Sequence, residues 1–186
     1  KNFRLDMRQY ENLEMFVHLE SLINEIQVVE NEVVAIIRMG TDLTSNFYQI
    51  ELPLSPTAFG TSSPDLIWPE VNQLKLPLEV LQTVKATFFN GDYNTLADQI
   101  TYFDEEGNPI VDPASTPYET GKVRVGIQGN PSFGDVRVLM LGLKNGNDEG
   151  RSTVCAEAWF NELRLSGLQN EGGWAGIVNM DANLAD

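Results

Sequence analysis

The feature that most constrains the fold of this chain is a period of two in its apolar residues. Residues 13–20 alternate, with one side of the segment formed by Leu13, Met15, Val17 and Leu19. Residues 47–54 repeat the pattern, with Tyr48, Ile50, Leu52 and Leu54 on one side and Gln49 and Glu51 on the other. Successive side chains of a strand point to opposite faces, so each segment predicts a strand with one buried face. The nearly continuous apolar run 33–39 is typical of a strand covered on both faces.

The C-terminal third continues the pattern and completes the prediction of the fold. Residues 123–127, 135–144 and 153–165 predict three further strands, the last two joined by a turn at 145–150. Only residues 78–89 have helical spacing, with Pro77 before them and Asn90-Gly91 as an end that accepts positive φ. Seven or more strands and one short helix predict a mainly β chain. We expect an antiparallel β-sandwich of jelly-roll or lectin-like type, with the helix covering an open end.

The stretch 86–121 differs in composition, because it contains no Lys or Arg and seven acidic residues. Within it, apolar residues on both sides of the turn 104–108 predict a small hairpin. The predicted domain is therefore residues 1–170, a sandwich that carries an acidic insertion at about 92–120.

Charge and composition exclude two classes of function. The chain has 12 Lys and Arg against 27 Asp and Glu, a formal net charge of −15. Such a chain repels phosphate backbones, which excludes nucleic acid as a partner. The longest apolar stretch, residues 138–143, is far shorter than the roughly 18 residues of a membrane helix. The single cysteine, Cys155, cannot form an internal disulfide, and its place in a predicted strand favours a buried thiol.

No constellation of residues predicts catalysis. The only histidine, His18, lies in an alternating strand without a nucleophile motif nearby, which favours a structural role. Glu157 could act on a glycosidic bond only with a second carboxylate, and the sequence indicates none. The acidic turns 104–108 and 145–149 lack the spacing of a calcium loop, and turn formation accounts for them. We therefore predict no catalytic residue, no metal and no cofactor.

Aromatic side chains in or near loops remain as candidates for contact with a protein partner or a glycan. These candidates are Trp68, Tyr93, Tyr102, Phe103 and Tyr118. In the predicted last strand, Trp159 and Phe160 are adjacent and point to opposite faces, so at least one of them belongs to the core.

Three stretches of the sequence together resemble a known family. They are residues 6–18, residues 37–54 and residues 129–137. The third continues into Glu157-Ala158-Trp159-Phe160-Asn161-Glu162-Leu163-Arg164-Leu165-Ser166 and Asn170-Glu171-Gly172-Gly173-Trp174-Ala175. The chain resembles a segment of the SprA/Sov family, the giant outer-membrane translocons of the type IX secretion system in Bacteroidota. The acidic stretch contributes nothing to the resemblance.

The resemblance implies a role in the export of folded cargo proteins, including gliding adhesins, through a large β-barrel. For this chain it implies a non-catalytic accessory module in the cell envelope, at the outer membrane. Its partners would be other segments and subunits of the translocon and the secreted cargo. The residues alone leave open a second class of function, a carbohydrate-binding or adhesin-type β-sandwich module.

The C-terminal residues 174–186 alternate once more. One side is formed by Trp174, Gly176, Val178, Met180, Ala182 and Leu184, and the other includes Asn179, Asp181 and Asn183. This pattern is typical of a membrane barrel strand with a wet lumen, and equally of an ordinary edge strand with one solvated face. The family resemblance favours the start of a barrel strand, which would then be the chain's only contact with the membrane.

Overall fold

The computed structural model describes residues 4–23, 25–91, 93, 99–146 and 153–168 and contains two antiparallel sheets. The strands are β1 (Asn12–Ser21), β2 (Val33–Gly40), β3 (Phe47–Pro53), β4 (Gln73–Pro77), β5 (Thr101–Phe103), β6 (Arg124–Gln128), β7 (Val138–Asn145) and β8 (Ala156–Ser166). The helices are α1 (Pro64–Ile67) and α2 (Leu78–Asn90), and a 3-10 turn covers Glu70–Asn72. The predicted mainly β sandwich is confirmed.

The two sheets have three and five strands. The order in the smaller sheet is β4-β1-β8, and in the larger sheet it is β5-β6-β3-β2-β7. The apolar sides predicted from the alternation form the core, because Leu13, Met15, Val17 and Leu19 of β1 and Tyr48, Ile50 and Leu52 of β3 are all buried in one cluster. Both sheets therefore direct their alternating apolar faces into a shared interior.

Helix α2 packs against one strand of each sheet, β4 and β6. It buries Leu78, Leu81, Val84 and Phe88, the residues at helical spacing. The helix ends at Asn90 as predicted, but Gly91 has a φ of −94°, so the expected positive-φ turn does not form. A Cβ at this position would meet the ring of Tyr93, so a larger residue here would have to displace that side chain.

The sequence prediction missed the short elements between β3 and α2. Strand β4 has only five residues, and Pro77, its last residue, is also the N-cap of α2, so its alternation is too brief to stand out. Cys155 was predicted within a strand and buried; the structure places it just before β8 and partly exposed, so that prediction was wrong.

The acidic stretch contributes to the larger sheet. Strand β5 pairs with β6, and the predicted hairpin forms, since the N–H of Ile110 donates to the carbonyl of Tyr102 at 2.8 Å. The C-terminal segment 174–186 lies outside the described residues, so its assignment as a barrel strand stays a prediction. Within the part of the chain that the structure describes, no helix is long and apolar enough to cross a membrane.

Candidate functional site

A buried carboxylate lies at the centre of the outer face of the larger sheet. Glu51 is on β3 and follows Gln49 at strand spacing, so both side chains point away from the core. Glu51 is nevertheless 0% exposed. The side chains of Tyr102, Tyr118 and Lys144 reach its carboxylate and cover it.

Both oxygens of Glu51 accept hydrogen bonds. Its Oε1 receives Gln49 Nε2 at 2.6 Å, Tyr102 Oη at 3.0 Å and Lys144 Nζ at 2.8 Å. Its Oε2 receives the hydroxyl of Tyr118. Burial alone raises the pKa of Glu51, but the hydrogen bonds from Lys144 and Tyr118 outweigh it, so the pKa lies below its ordinary value of 4.5. The carboxylate is therefore ionised at neutral pH.

The two tyrosines that contact Glu51 act as donors. Burial, together with the negative charge of Glu51, raises the pKa of Tyr102 and of Tyr118. Lys144 contacts the same rings, with its Nζ 5.8 Å from the ring centre of Tyr102 and 5.1 Å from that of Tyr118. The ion pair and both phenol rings therefore form one packed unit.

Arg124 holds the loop that covers this unit. It pairs with Glu51 across strands β6 and β3, and its guanidinium donates to the backbone carbonyls of Pro113, Thr116 and Pro117. The same guanidinium lies 3.9 Å from the ring centre of Tyr118. The planar fork of five donors in arginine suits a site where several carbonyls must be satisfied at once. Arg124 thus fixes the loop 113–118 against the sheet.

The loop and the sheet enclose a cleft of about 720 Å³. Its lining includes Glu51, Tyr102, Tyr118, Arg124 and Lys144. Glycoside hydrolysis needs two carboxylates that face one sugar. Among the described residues that line the cleft, Glu51 is the only carboxylate, and donors occupy both of its oxygens. The arrangement is that of an ion pair that stabilises the fold.

A second polar and aromatic cluster lies on the outer face of the smaller sheet. His18 is 3% exposed, and its Nδ1 lies 2.7 Å from the carbonyl oxygen of Ile67. Its ring packs between Trp68 and Trp159, with ring centres 5.9 and 5.3 Å away. Trp159 is 52% exposed and donates from Nε1 to Glu157 Oε1 at 2.6 Å. His18 therefore has a structural role here, and Trp159 is the exposed member of the cluster.

The predicted contact residues fall into three places. Tyr102 and Tyr118 meet on Glu51, and Trp68 packs on His18. Tyr93 contacts the edge of Phe103, with ring centres 6.0 Å apart. Phe103 itself is 0% exposed and belongs to the core, because β5 turns its ring inward, so it is excluded as a contact residue.

Four functional candidates were not predicted from the sequence. They are Glu51, Arg124, Lys144 and Trp159. Glu51 lies on the polar side of an alternating strand, a position that predicts exposure, so the sequence did not indicate its burial. The sequence offered no signal for its partners, because Lys144 is 93 residues away along the chain.

The hairpin turn 104–108 is explained by its own hydrogen bonds. Asp104 Oδ1 accepts from the backbone N–H groups of Glu106 and Asn108, at 3.0 and 2.8 Å. This is the Asx-turn geometry expected for an acidic residue at the start of a turn. The carboxylate is thus engaged in turn formation.

The three stretches that carry the family resemblance meet at one end of the sandwich. The N–H of Met7, in the first stretch, donates to the carbonyl of Phe133 in the third at 2.9 Å. The N–H of Asn130 donates to Asn46 Oδ1 in the second stretch at 3.0 Å. Residues far apart in sequence thus form one connected piece of framework.

Comparison with known proteins identifies one family. A family model, SprA_N, described as a motility related/secretion protein, matches residues 1–186. No curated protein matches the chain.

Proposed function

The chain belongs to the SprA_N family of motility-related and secretion proteins, and from this we propose that it is a non-catalytic structural module of an outer-membrane secretion translocon. The translocon would be that of the type IX system of Bacteroidota, which also serves gliding motility. The observation that carries the proposal is the family match over the whole chain. Glu51 accepts hydrogen bonds from four side chains, an environment typical of a structural ion pair, and this supports the non-catalytic part.

The proposed partners are the other segments and subunits of the translocon and the cargo that passes it. The proposed location is the cell envelope, at the outer membrane. The net charge of −15 suits a module that must not adhere to anionic lipid headgroups. Of the predicted contact residues, Trp68, Tyr93, Tyr102 and Tyr118 are partly exposed and stay candidates for contact with a partner.

The test replaces residues 1–186 by a flexible Gly/Ser linker within the whole natural protein. We expect loss of cargo from the culture medium and loss of spreading on agar. An immunoblot of the outer-membrane fraction must show a normal level of the shortened protein, so that loss of function is not loss of the protein. Normal secretion and spreading at a normal protein level would overturn the proposal.

One observation favours a second candidate function, a carbohydrate-binding module. Trp159 is 52% exposed, with His18 between it and Trp68, and exposed aromatic faces are common platforms for sugar rings. The test is a glycan array with the whole chain, with Trp159→Ala and with Phe89→Ala. Phe89 is an exposed aromatic residue on α2 and is a matched control. Saccharide binding that only Trp159→Ala abolishes supports this candidate, and absence of binding rejects it.

A further inference from the structure

Large apolar side chains are exposed at the end of the smaller sheet where β1 stops. Ile23 and Ile26 lie in the loop after β1 and are 61% and 69% exposed. The N–H of Val28 donates to Ser21 Oγ at 2.9 Å, so this loop folds back onto the end of the strand. Both isoleucines are therefore held at the same end of the molecule.

A second segment brings two more such side chains to this place. Phe59 and Leu66, which lie between β3 and β4, are 52% and 62% exposed. Thr57 forms a parallel bridge with Glu20 of β1, so Phe59, two residues further on, lies beside the start of the loop. The hydroxyl of Thr57 also donates to the carbonyl of Leu66 at 3.2 Å. The two isoleucines, Phe59 and Leu66 therefore form one apolar patch, and several exposed apolar side chains in one place mark a contact surface.

Turns present two members of the apolar patch to solvent. A backbone hydrogen bond of 3.2 Å closes the turn 58–61, in which Phe59 is the second residue. The N–H of Glu25 donates to the carbonyl of Leu22 at 3.3 Å, which makes Ile23 the second residue of a similar turn. Turns favour Gly, Pro, Asn, Asp and Ser, and their geometry does not call for Phe or Ile. Turn formation therefore does not account for these apolar side chains, whereas contact with another molecule does.

The charges around the apolar patch have one sign. The two segments that carry it, residues 20–32 and 55–72, together contain six acidic residues and no Lys or Arg. Two exposed carboxylates, those of Glu25 and Asp65, directly precede residues of the patch. This end of the smaller sheet thus combines apolar side chains with a negative potential.

This combination selects among the possible occupants of the apolar patch. The same carboxylates repel an anionic lipid surface, and a second copy of the chain would bring two negative ends together. A protein segment with an apolar side and Lys or Arg beside it complements both features. We propose that the apolar patch docks a cationic amphipathic segment of a partner protein. This surface is separate from the cleft at Glu51, and the proposal holds whether or not the partner belongs to a secretion translocon.

The first test measures binding of defined peptides to the whole chain by fluorescence anisotropy. The probe peptide repeats Lys-Leu-Ala-Lys-Leu-Ala-Lys twice. One control peptide has Glu in place of every Lys, and the other has Ser in place of every Leu. We expect only the probe peptide to bind, because it alone has both the positive charge and the apolar side. Absence of binding by the probe peptide, or equal binding of the Ser peptide, would overturn the proposal.

Matched substitutions then locate the binding. Phe59→Ser removes an exposed ring from the apolar patch, and Val111→Ser removes an exposed apolar side chain from the acidic stretch. We expect Phe59→Ser to raise the Kd for the probe peptide at least about tenfold and Val111→Ser to leave it within about twofold. Both residues are exposed, so equal melting curves should show that neither change alters the fold. Equal Kd values for the two variants would contradict the proposal.

Two double variants that change the net charge equally test the electrostatic part. Glu25→Gln with Asp65→Asn alters the apolar patch, whereas Glu11→Gln with Glu79→Gln alters exposed carboxylates at the other end of β1. At low salt, we expect the first pair to raise the Kd for the probe peptide about threefold or more and the second pair to have a smaller effect. Equal weakening by both pairs would show that only the overall charge attracts the probe peptide, and the proposal would be overturned.

The two other occupants are tested directly on the whole chain. Phosphatidylcholine vesicles are the probe for a lipid surface, and analytical ultracentrifugation without peptide measures self-association. We expect neither vesicle binding nor a dimer. Vesicle binding that Phe59→Ser abolishes would assign the apolar patch to lipid, and a dimer that Phe59→Ser dissociates would assign it to a second copy of the chain. Either result would overturn the proposal.

Discussion

Removal of one hydrogen-bond donor from Glu51 measures how much the ion pair with Lys144, beneath the loop 113–118, contributes to the free energy of unfolding. Lys144→Met keeps the length and the apolar stem of the side chain and removes its charge. The carboxylate stays buried and keeps three of its donors, namely Gln49, Tyr102 and Tyr118. A hydrogen bond to a charged group contributes about 1.5–3 kcal/mol. We expect the free energy of unfolding to fall by this amount, which corresponds to about 2–4 °C in Tm for each kcal/mol in a chain of this size.

The assay is urea unfolding followed by tryptophan fluorescence, with Lys122→Met as a matched control. Lys122 makes an equally short contact, 2.6 Å from Glu105, but its side chain is 59% exposed. An exposed pair contributes at most about 1 kcal/mol, so the control should unfold close to the natural chain. If both variants lose the same stability, burial of Glu51 does not strengthen the pair and the reasoning fails.

Three further predictions concern the core and its charges. Although burial opposes it, the hydrogen bonds from Lys144 and Tyr118 hold the pKa of Glu51 below 4.5 in the fold. The ionised carboxylate therefore stabilises the fold fully above pH 4.5, and this stabilisation is lost as the pH falls through the lowered pKa of the folded chain. The difference in unfolding free energy between the natural chain and Glu51→Gln should accordingly shrink from pH 7 to pH 3. Leu81→Asp places an unpaired charge at a fully buried position, so it should lower the free energy of unfolding by several kcal/mol, up to about 5, or prevent folding. Circular dichroism measures this change, and an unchanged melting curve would refute the assigned buried face of α2. The buried hydroxyl of Tyr48 has no hydrogen-bond partner among the described residues, so Tyr48→Phe should raise Tm, and a lower Tm would indicate a partner.

The sequence predicted the long strands because their alternation is dictated by burial of one face. Residues 13–20 and 47–54 need no information beyond their own order to indicate which side is apolar. The bounds differ from the observed ones by a few residues at the ends, where the last pairs of β7 and β8 depend on their neighbours. Strand β4 could not be predicted, because five residues next to a helix are too few to distinguish the strand period of two from the helical period of 3.6.

The candidate site could be predicted only in part. Tyr102 and Tyr118 were selected as aromatic residues near loops, and in the structure both are partly exposed and contact Glu51 and Lys144. Burial of Glu51 arises from a loop more than 60 residues further along the chain, and no local pattern contains that information. Phe103 was misassigned because nearness to a turn says nothing about the face on which a ring lies.

The position of β1 has a consequence for the order in which the protein folds. The first strand of the chain is the central strand of the smaller sheet, and one of its two neighbours is β8, the last described strand. The pair Glu14 and Arg164 joins residues 150 positions apart. During synthesis, the edge of β1 that faces β8 stays unpaired until residues about 150 positions further along have left the ribosome. Contacts of such long sequence separation form slowly, so β1 exposes an apolar strand edge to wrong partners until β8 has been synthesised.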